Sequence, residues 1–108
     1  MAESIQEFFG GLAERVDPQK TAGMDASFQF VATGDNAGEW YAKIVDGKTD
    51  VVKGTVADPT IVLTADAEDW LALINGDMNG QTAFLTGKMR IEGDVTLAMK
   101  LESLFNLG

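Results

Sequence analysis

The groups in this chain that could do chemistry are its carboxylates, a single tyrosine (Tyr41) and a few lysines, because it contains neither histidine nor cysteine. Asp66, Glu68 and Asp69 form the tightest acidic group. A carboxylate pair that works as acid and base needs two environments that push the two pKa values apart. These three instead stand just before an apolar run with helical spacing, where acids cap the backbone and favour the helix dipole. Asp35, Asp46, Asp50, Asp58 and Asp77 lie in or beside turns, where aspartate serves the backbone. No stretch alternates acids about a central glycine as a calcium loop does. Without histidine or cysteine there is no Ser-His-Asp or Cys-His catalysis, no thiolate zinc site, no histidine metal ligand and no disulfide. We therefore expect no enzymatic activity, no cofactor and no metal.

The 12 glycines raise the question of phosphate binding. None forms a Gly-x-Gly-x-x-Gly or Gly-x4-Gly-Lys-Ser/Thr pattern. Gly87-Lys88 precedes a strand pattern, whereas a phosphate cradle needs a helix N-terminus after it. Charge excludes a further class. The 108 residues hold 17 acids against 8 bases, a net charge of -9, so nucleic acid is not an expected partner. The same imbalance disfavours attraction to an anionic membrane through a polybasic patch. No apolar run approaches the roughly 18 residues of a membrane span, so stable membrane insertion is not expected. Glu3 and Glu7 stand where a secretory signal would carry basic residues, and Asn106-Leu107-Gly108 is not a Ser-Lys-Leu type signal. The expectation is one cytoplasmic domain over residues 1–108, with 45% hydrophobic and 23% charged residues, as in an ordinary globular protein.

The elements that must position any site follow from periodicity. Ser4 to Glu7 has the capping-box pattern, and Ile5, Phe8, Phe9, Leu12 and Val16 follow at intervals of three and four, so one helix is expected up to Asp17-Pro18. Phe28, Phe30 and Ala32 alternate with Ser27, Gln29, Val31 and Thr33, Trp40, Ala42 and Ile44 alternate with Tyr41, Lys43 and Val45, and Asp46-Gly47 signals a tight hairpin. A third strand over about 49–56 is interrupted by Gly54, which completes an antiparallel meander. A fourth strand over 60–65 leads, through a capping Asp66, into a helix carrying Trp70, Leu73 and Ile74 and stopped by Asn75-Gly76. A helical turn over 81–85, a short alternating strand over 88–92, and an Asp94-capped helix with an apolar stripe from Leu97 to Phe105 complete the order. Helices outside a run of strands give the α+β class.

The aromatic residues and methionines exceed what one pair of layers obviously needs, and periodicity alone cannot tell a filled core from a lipid pocket. A resemblance bears on this. Gly38-Glu39-Trp40, Asp46-Gly47, Asp58-Pro59-Thr60, Trp70 to Gly76, Ala83 to Lys88, and Ile91-Glu92-Gly93-Asp94 with Leu97 to Phe105 resemble, in order and spacing, the sterol carrier protein 2 lipid-transfer domain. The likeness covers nearly the whole chain and looks most like a stand-alone prokaryotic-type member. It implies a five-stranded, mostly antiparallel sheet in the order α-βββ-β-α-β-α, with helices on one side and an apolar tunnel between the layers. It also implies a carrier, without chemistry of its own, for a fatty acid, acyl-CoA, phospholipid or sterol-like lipid.

The expected tunnel wall is Phe30, Trp40, Ile44, Trp70, Ile74 and Met78, followed by Phe84, Leu85, Met89, Leu97, Leu101 and Phe105. Burying a methylene contributes about 0.8 kcal/mol, so a sixteen-carbon chain gains on the order of 12 kcal/mol gross. Association and ordering remove several kcal/mol of that. A reading from another class treats the final helix as a protein-interaction or homodimer surface, its apolar stripe laid in a groove.

Overall fold

The computed structural model describes residues 4–35 and 37–104, with side chains left out at 101 and 102. Among these residues the chain begins with α1 (Ile5–Gly10) and α2 (Leu12–Arg15), followed by β1 (Asp25–Thr33), β2 (Gly38–Val45) and β3 (Lys48–Lys53). Then come β4 (Ile61–Asp66), α3 (Ala67–Ile74), α4 (Gly80–Leu85), β5 (Met89–Gly93), α5 (Val95–Met99) and α6 (Leu101–Leu104). The helix starts follow the capping residues read from the sequence. Ser4 accepts from the Glu7 amide, Asp66 from that of Glu68 and Asp94 from that of Leu97.

Two expected helices are shorter than their stripes suggest. The first breaks at Gly11, a poor helix former, whose amide bonds back to the Phe8 and Phe9 carbonyls. The last breaks at Lys100, whose amide reaches only three residues back, to Leu97, at 3.1 Å. The third strand stops at Lys53, short of the expected 56: Gly54 still donates in register to the Glu39 carbonyl at 2.9 Å, but at φ +134 it gives its own carbonyl to the Gln29 side-chain amide.

The sheet has the order β3-β2-β1-β4-β5. β1, β2 and β3 form an antiparallel meander, β4 runs parallel to β1, and β5 is antiparallel to β4. The sheet is therefore mixed at its centre. A reciprocal clamp sets the parallel register. The Ser27 amide donates to Thr60 Oγ1 at 3.0 Å, and the Thr60 amide reaches both the Ser27 carbonyl at 2.9 Å and Ser27 Oγ at 3.2 Å. One face of the sheet carries Phe28, Phe30, Ala32, Trp40, Ala42, Ile44, Ile61, Leu63 and Ala65, all buried. The α-helices pack on this face because the alternation puts most apolar strand residues there.

The core is built around Phe9 of α1. Its ring stacks on Trp40 with centroids 4.7 Å apart, and it meets Phe30 at 5.2 Å and the edge of Trp70 at 6.0 Å. Trp70, 1% exposed, donates from Nε1 to the Val31 carbonyl at 2.8 Å, so its one polar atom is satisfied. The opposite face is half exposed at Val31, Tyr41, Val62 and Thr64. One side chain there is buried: Gln29 donates to the Trp40 and Gly54 carbonyls and accepts from the Val56 amide. Its amide holds the β3–β4 connection against the sheet.

Two stability outcomes follow. Phe9→Ala should lower stability by about 3–5 kcal/mol, the range for deleting a buried aromatic ring. A loss below about 1 kcal/mol in denaturant unfolding would show that the core closes without it. Gln29→Glu should cost more than Gln29→Met, because a carboxylate turns an acceptor toward two carbonyls and leaves a charge unpaired. Comparison of the two melting curves checks the order.

Candidate functional site

A largely apolar cleft opens between β4 and β5 on one side and α4 and α5 on the other, with a volume of about 160 Å³. The sheet contributes Leu63, Met89 and Ile91, α4 and its cap contribute Asn79, Gly80, Gln81 and Phe84, and α5 contributes Ala98 and Met99. Leu63 and Ile91 are direct partners across the β4–β5 ladder, and Ala65 and Met89 are the next pair, so they share a face. Asn79 and Gln81 are the polar side chains of the lining, which holds no charged group among the described residues.

Each wall has a local cause. Asn79 Oδ1 caps α4 through the amides of Gln81 at 2.8 Å and Thr82 at 3.3 Å. At the other end Gly87 takes φ +79, the Lys88 amide bonds to the Ala83 carbonyl at 2.8 Å and the Gly87 amide to that of Phe84 at 3.2 Å. This is the Schellman arrangement, and it turns the chain sharply from α4 into β5. Ala83 is the buried residue of α4, so the helix is seated by one methyl group while Phe84 stays 40% exposed. On the far wall Gly93 has φ +104, and a Cβ there would lie 2.5 Å from the Thr60 carbonyl oxygen. Only glycine lets β5 end against the start of β4 and send α5 back over the cleft.

The structure divides the residues expected to line a tunnel. Phe84 and Met89 come together in the cleft. Phe30, Trp40, Ile44, Trp70 and Ile74 lie in the continuous core, the aromatic ones in ring contact around Phe9. Leu97 is buried beneath α5 in that same core, and Met78 is half buried against it. Leu85 points away from the cleft into solvent at 74% exposure. The Leu101 side chain and all of Phe105 lie outside the described residues. The lining residues missing from the expected wall are Leu63, Asn79, Gly80, Gln81, Ile91, Ala98 and Met99. Leu63 and Ile91 carried a readable signal, since they alternate in phase with Ala65 and Met89.

A second cleft of about 190 Å³ lies where α1 and α3 begin, lined by Ser4, Ile5, Gln6, Asp35, Ala67, Glu68 and Leu71. Its two carboxylates would repel an anionic headgroup and have no cation in the lining to offset them, so the β4–β5 cleft is the better candidate despite its smaller volume. The acids considered for catalysis do not converge. Asp66 caps α3, Asp17 accepts from the Gln19 amide at 2.9 Å and Asp46 from that of Gly23 at 2.9 Å. Among the described residues no group of three or more acids could hold a metal ion, and no helix is long and apolar enough to cross a membrane.

An α+β sandwich with an apolar cleft agrees with the outcome of comparison. A profile of the SCP-2 sterol transfer family matches residues 6–106. The chain belongs to that family. Hydroxysteroid dehydrogenase-like protein 2 of Xenopus laevis is 33% identical over 106 residues, covering 95% of this chain and 25% of that protein. The chain thus spans about a quarter of the length of the curated relatives it matches. Palmitated SCP2L2 of Aedes aegypti is 26% identical, with a TM-score of 0.76 and coverage of 94% of both chains. A sec-alkyl sulfatase double mutant gives a TM-score of 0.83 at 18% identity, over 94% of this chain and 16% of that one. That last likeness shows the fold alone. The SCP-2 fold therefore occurs both as most of a chain and as a small part of a longer one.

In this SCP-2 domain Gly93→Ala should cost about 1–3 kcal/mol, since it forces a side chain into a positive-φ site against backbone. Gly87→Ala, where a Cβ meets nothing within 4 Å, should cost only about 1 kcal/mol. Equal losses in chemical denaturation would show that the β5–α5 turn relaxes freely.

Proposed function

We propose that residues 1–108 act as one unit that binds an apolar lipid, shields it in the β4–β5 cleft and passes it on without altering it. The observation that carries this is the lining itself, with Leu63, Phe84, Met89, Ile91, Ala98 and Met99 around one opening. Phe84 and Met99 stay 40% and 63% exposed there, although every buried aromatic residue nearby is packed. A long acyl chain would cover these side chains, and methionine adapts to varied apolar shapes. Membership of the SCP-2 sterol transfer family and the likeness to the palmitated Aedes aegypti protein support a fatty acyl ligand.

The cleft is smaller than the roughly 300–1,000 Å³ of sites that enclose a drug-sized ligand. A sixteen-carbon chain therefore requires α4 and α5 to move outward, or else leaves part of itself in water. The construction of the wall favours movement. α4 has six residues, one of them buried, and α5 has five with only Leu97 buried. Helices this short hold their place through packing and not through their own stability. The chemistry of the longer hydroxysteroid dehydrogenase-like relatives does not enter this role, which needs no reacting side chain.

Delipidated protein should take up a fluorescent fatty acid, and Met99→Glu should weaken uptake about tenfold or more by placing a charge in the lining. Its melting temperature should fall by only a few degrees, as expected at an exposed position. Loading should slow hydrogen exchange at α4 and α5 more than in the β1–β2 ladder. No uptake by the parent protein, or uptake unchanged by Met99→Glu, would sink the reading.

A further inference from the structure

Two methionines stand on opposite walls of the cleft and differ in their access to water. Met99 on α5 is 63% exposed, whereas Met89 on β5 is 4% exposed, and both line the opening. Met24 and Met78 are half buried against the core, which leaves Met99 the most open thioether among the described residues. The chain contains no cysteine, so methionine supplies all of its sulfur. The indoles of Trp40 and Trp70, which oxidise less readily, are buried.

We infer that Met99 is a peroxide-sensitive modification site, and that its conversion to the sulfoxide closes the cleft to apolar cargo. The inference rests on the carrier reading of the cleft and adds a control on it. The Met99 sulfur attacks one oxygen of hydrogen peroxide. An S–O bond forms as the O–O bond breaks, and sulfur gives up two electrons. The departing hydroxide takes the proton left on the new sulfoxide oxygen and leaves as water. Methionine sulfoxide reductases reverse such a change.

The effect on binding follows from the lining. A flexible apolar side chain becomes a polar one with a strong acceptor. Leu63, Phe84, Met89, Ile91 and Ala98 offer that oxygen no side-chain donor, but Asn79 and Gln81 carry amides in the same lining. Asn79 Oδ1 already accepts from the Gln81 and Thr82 amides, so its own N–H groups are what it has left to offer. A thioether accepts from such donors only weakly. Cargo entering the oxidised cleft must bury the S–O dipole unpaired or displace its hydrogen bond, and either weakens binding.

The position also tolerates the change. Met99 ends α5, a five-residue helix with only Leu97 buried, so the added oxygen meets open space. At Met89 the same oxygen would be forced into the core. Occupancy sets which molecules are marked. An acyl chain lying over Met99 keeps peroxide from the sulfur, so loaded protein is protected and empty protein is modified.

The test treats the delipidated full chain with hydrogen peroxide in stages. Each sample is read for oxygen gained by every methionine peptide and for uptake of a fluorescent fatty acid. Met99 should gain an oxygen ahead of Met24, Met78 and Met89. Uptake should fall in step with it, about fivefold or more, while the melting temperature moves by only a few degrees. Protein loaded with fatty acid beforehand should oxidise more slowly at Met99 and at the same rate at Met24. Met99→Leu, compared only with its own untreated sample, should keep its uptake after the same dose. Earlier oxidation at another of these methionines overturns the inference, as does a Met99 rate that cargo leaves unchanged. Equal loss of uptake in Met99→Leu, or loss that accompanies unfolding, overturns it as well. Uptake by the untreated parent that ignores Met99 oxidation removes the control and leaves the carrier reading standing. No uptake by the untreated parent removes both.

Discussion

The structure depends on how Phe9 is placed. Its ring stacks on Trp40, meets Phe30 and makes a T-shaped contact with Trp70, so one side chain joins α1, two strands and α3. Such contacts between aromatic rings add to the burial of their area. They fill the inner face of the sheet over β1 and β2 and leave no gap there. Over β4 and β5 the roof is made of short helices seated by Ala83 and Leu97. A cleft can exist on that side because the aromatic wedge stabilises the other side independently.

Polar interactions are divided in the same way. The Trp70 indole, the Gln29 amide and the Ser27–Thr60 clamp all act on β1 and its neighbours. α4 and α5 carry their own caps and turns, and the Asp94 amide at the head of α5 reaches the Thr60 carbonyl before β4 at 3.3 Å. A long-range side-chain tie to this end is that of Lys20 Nζ with Ser103, at 3.3 Å to the hydroxyl and exposed. An exposed contact of that length contributes little.

Much of the fold was legible before the structure. Ser4, Asp66 and Asp94 marked helix starts because a capping side chain is a local requirement. Strand alternation placed Phe28, Phe30, Trp40 and Ile44 on the inner face because side chains alternate with a period of two. The breaks at Gly11 and Lys100 were less legible, since an apolar stripe continues across a change in backbone direction. The candidate site was legible only in part. Periodicity reports that Trp70 and Phe84 both face inward, yet one sits in close packing and the other borders a cleft. That difference is set by which rings from distant parts of the chain fill the space, and it has no local signature. The parallel contact of β1 with β4 is non-local in the same sense.

That contact also bears on the path by which the chain acquires its structure. β1, β2 and β3 pair through short turns and can form early, whereas Ser27 and Thr60 lie 33 residues apart in sequence and must close a long loop. Until β4 arrives, β1 is an open edge carrying Phe28 and Phe30, the kind of surface that pairs with other chains. Rapid arrival of β4 is therefore a condition for a productive yield. The reciprocal Ser27–Thr60 bonds lie where that strand begins, so they can select the register with the first residues to dock.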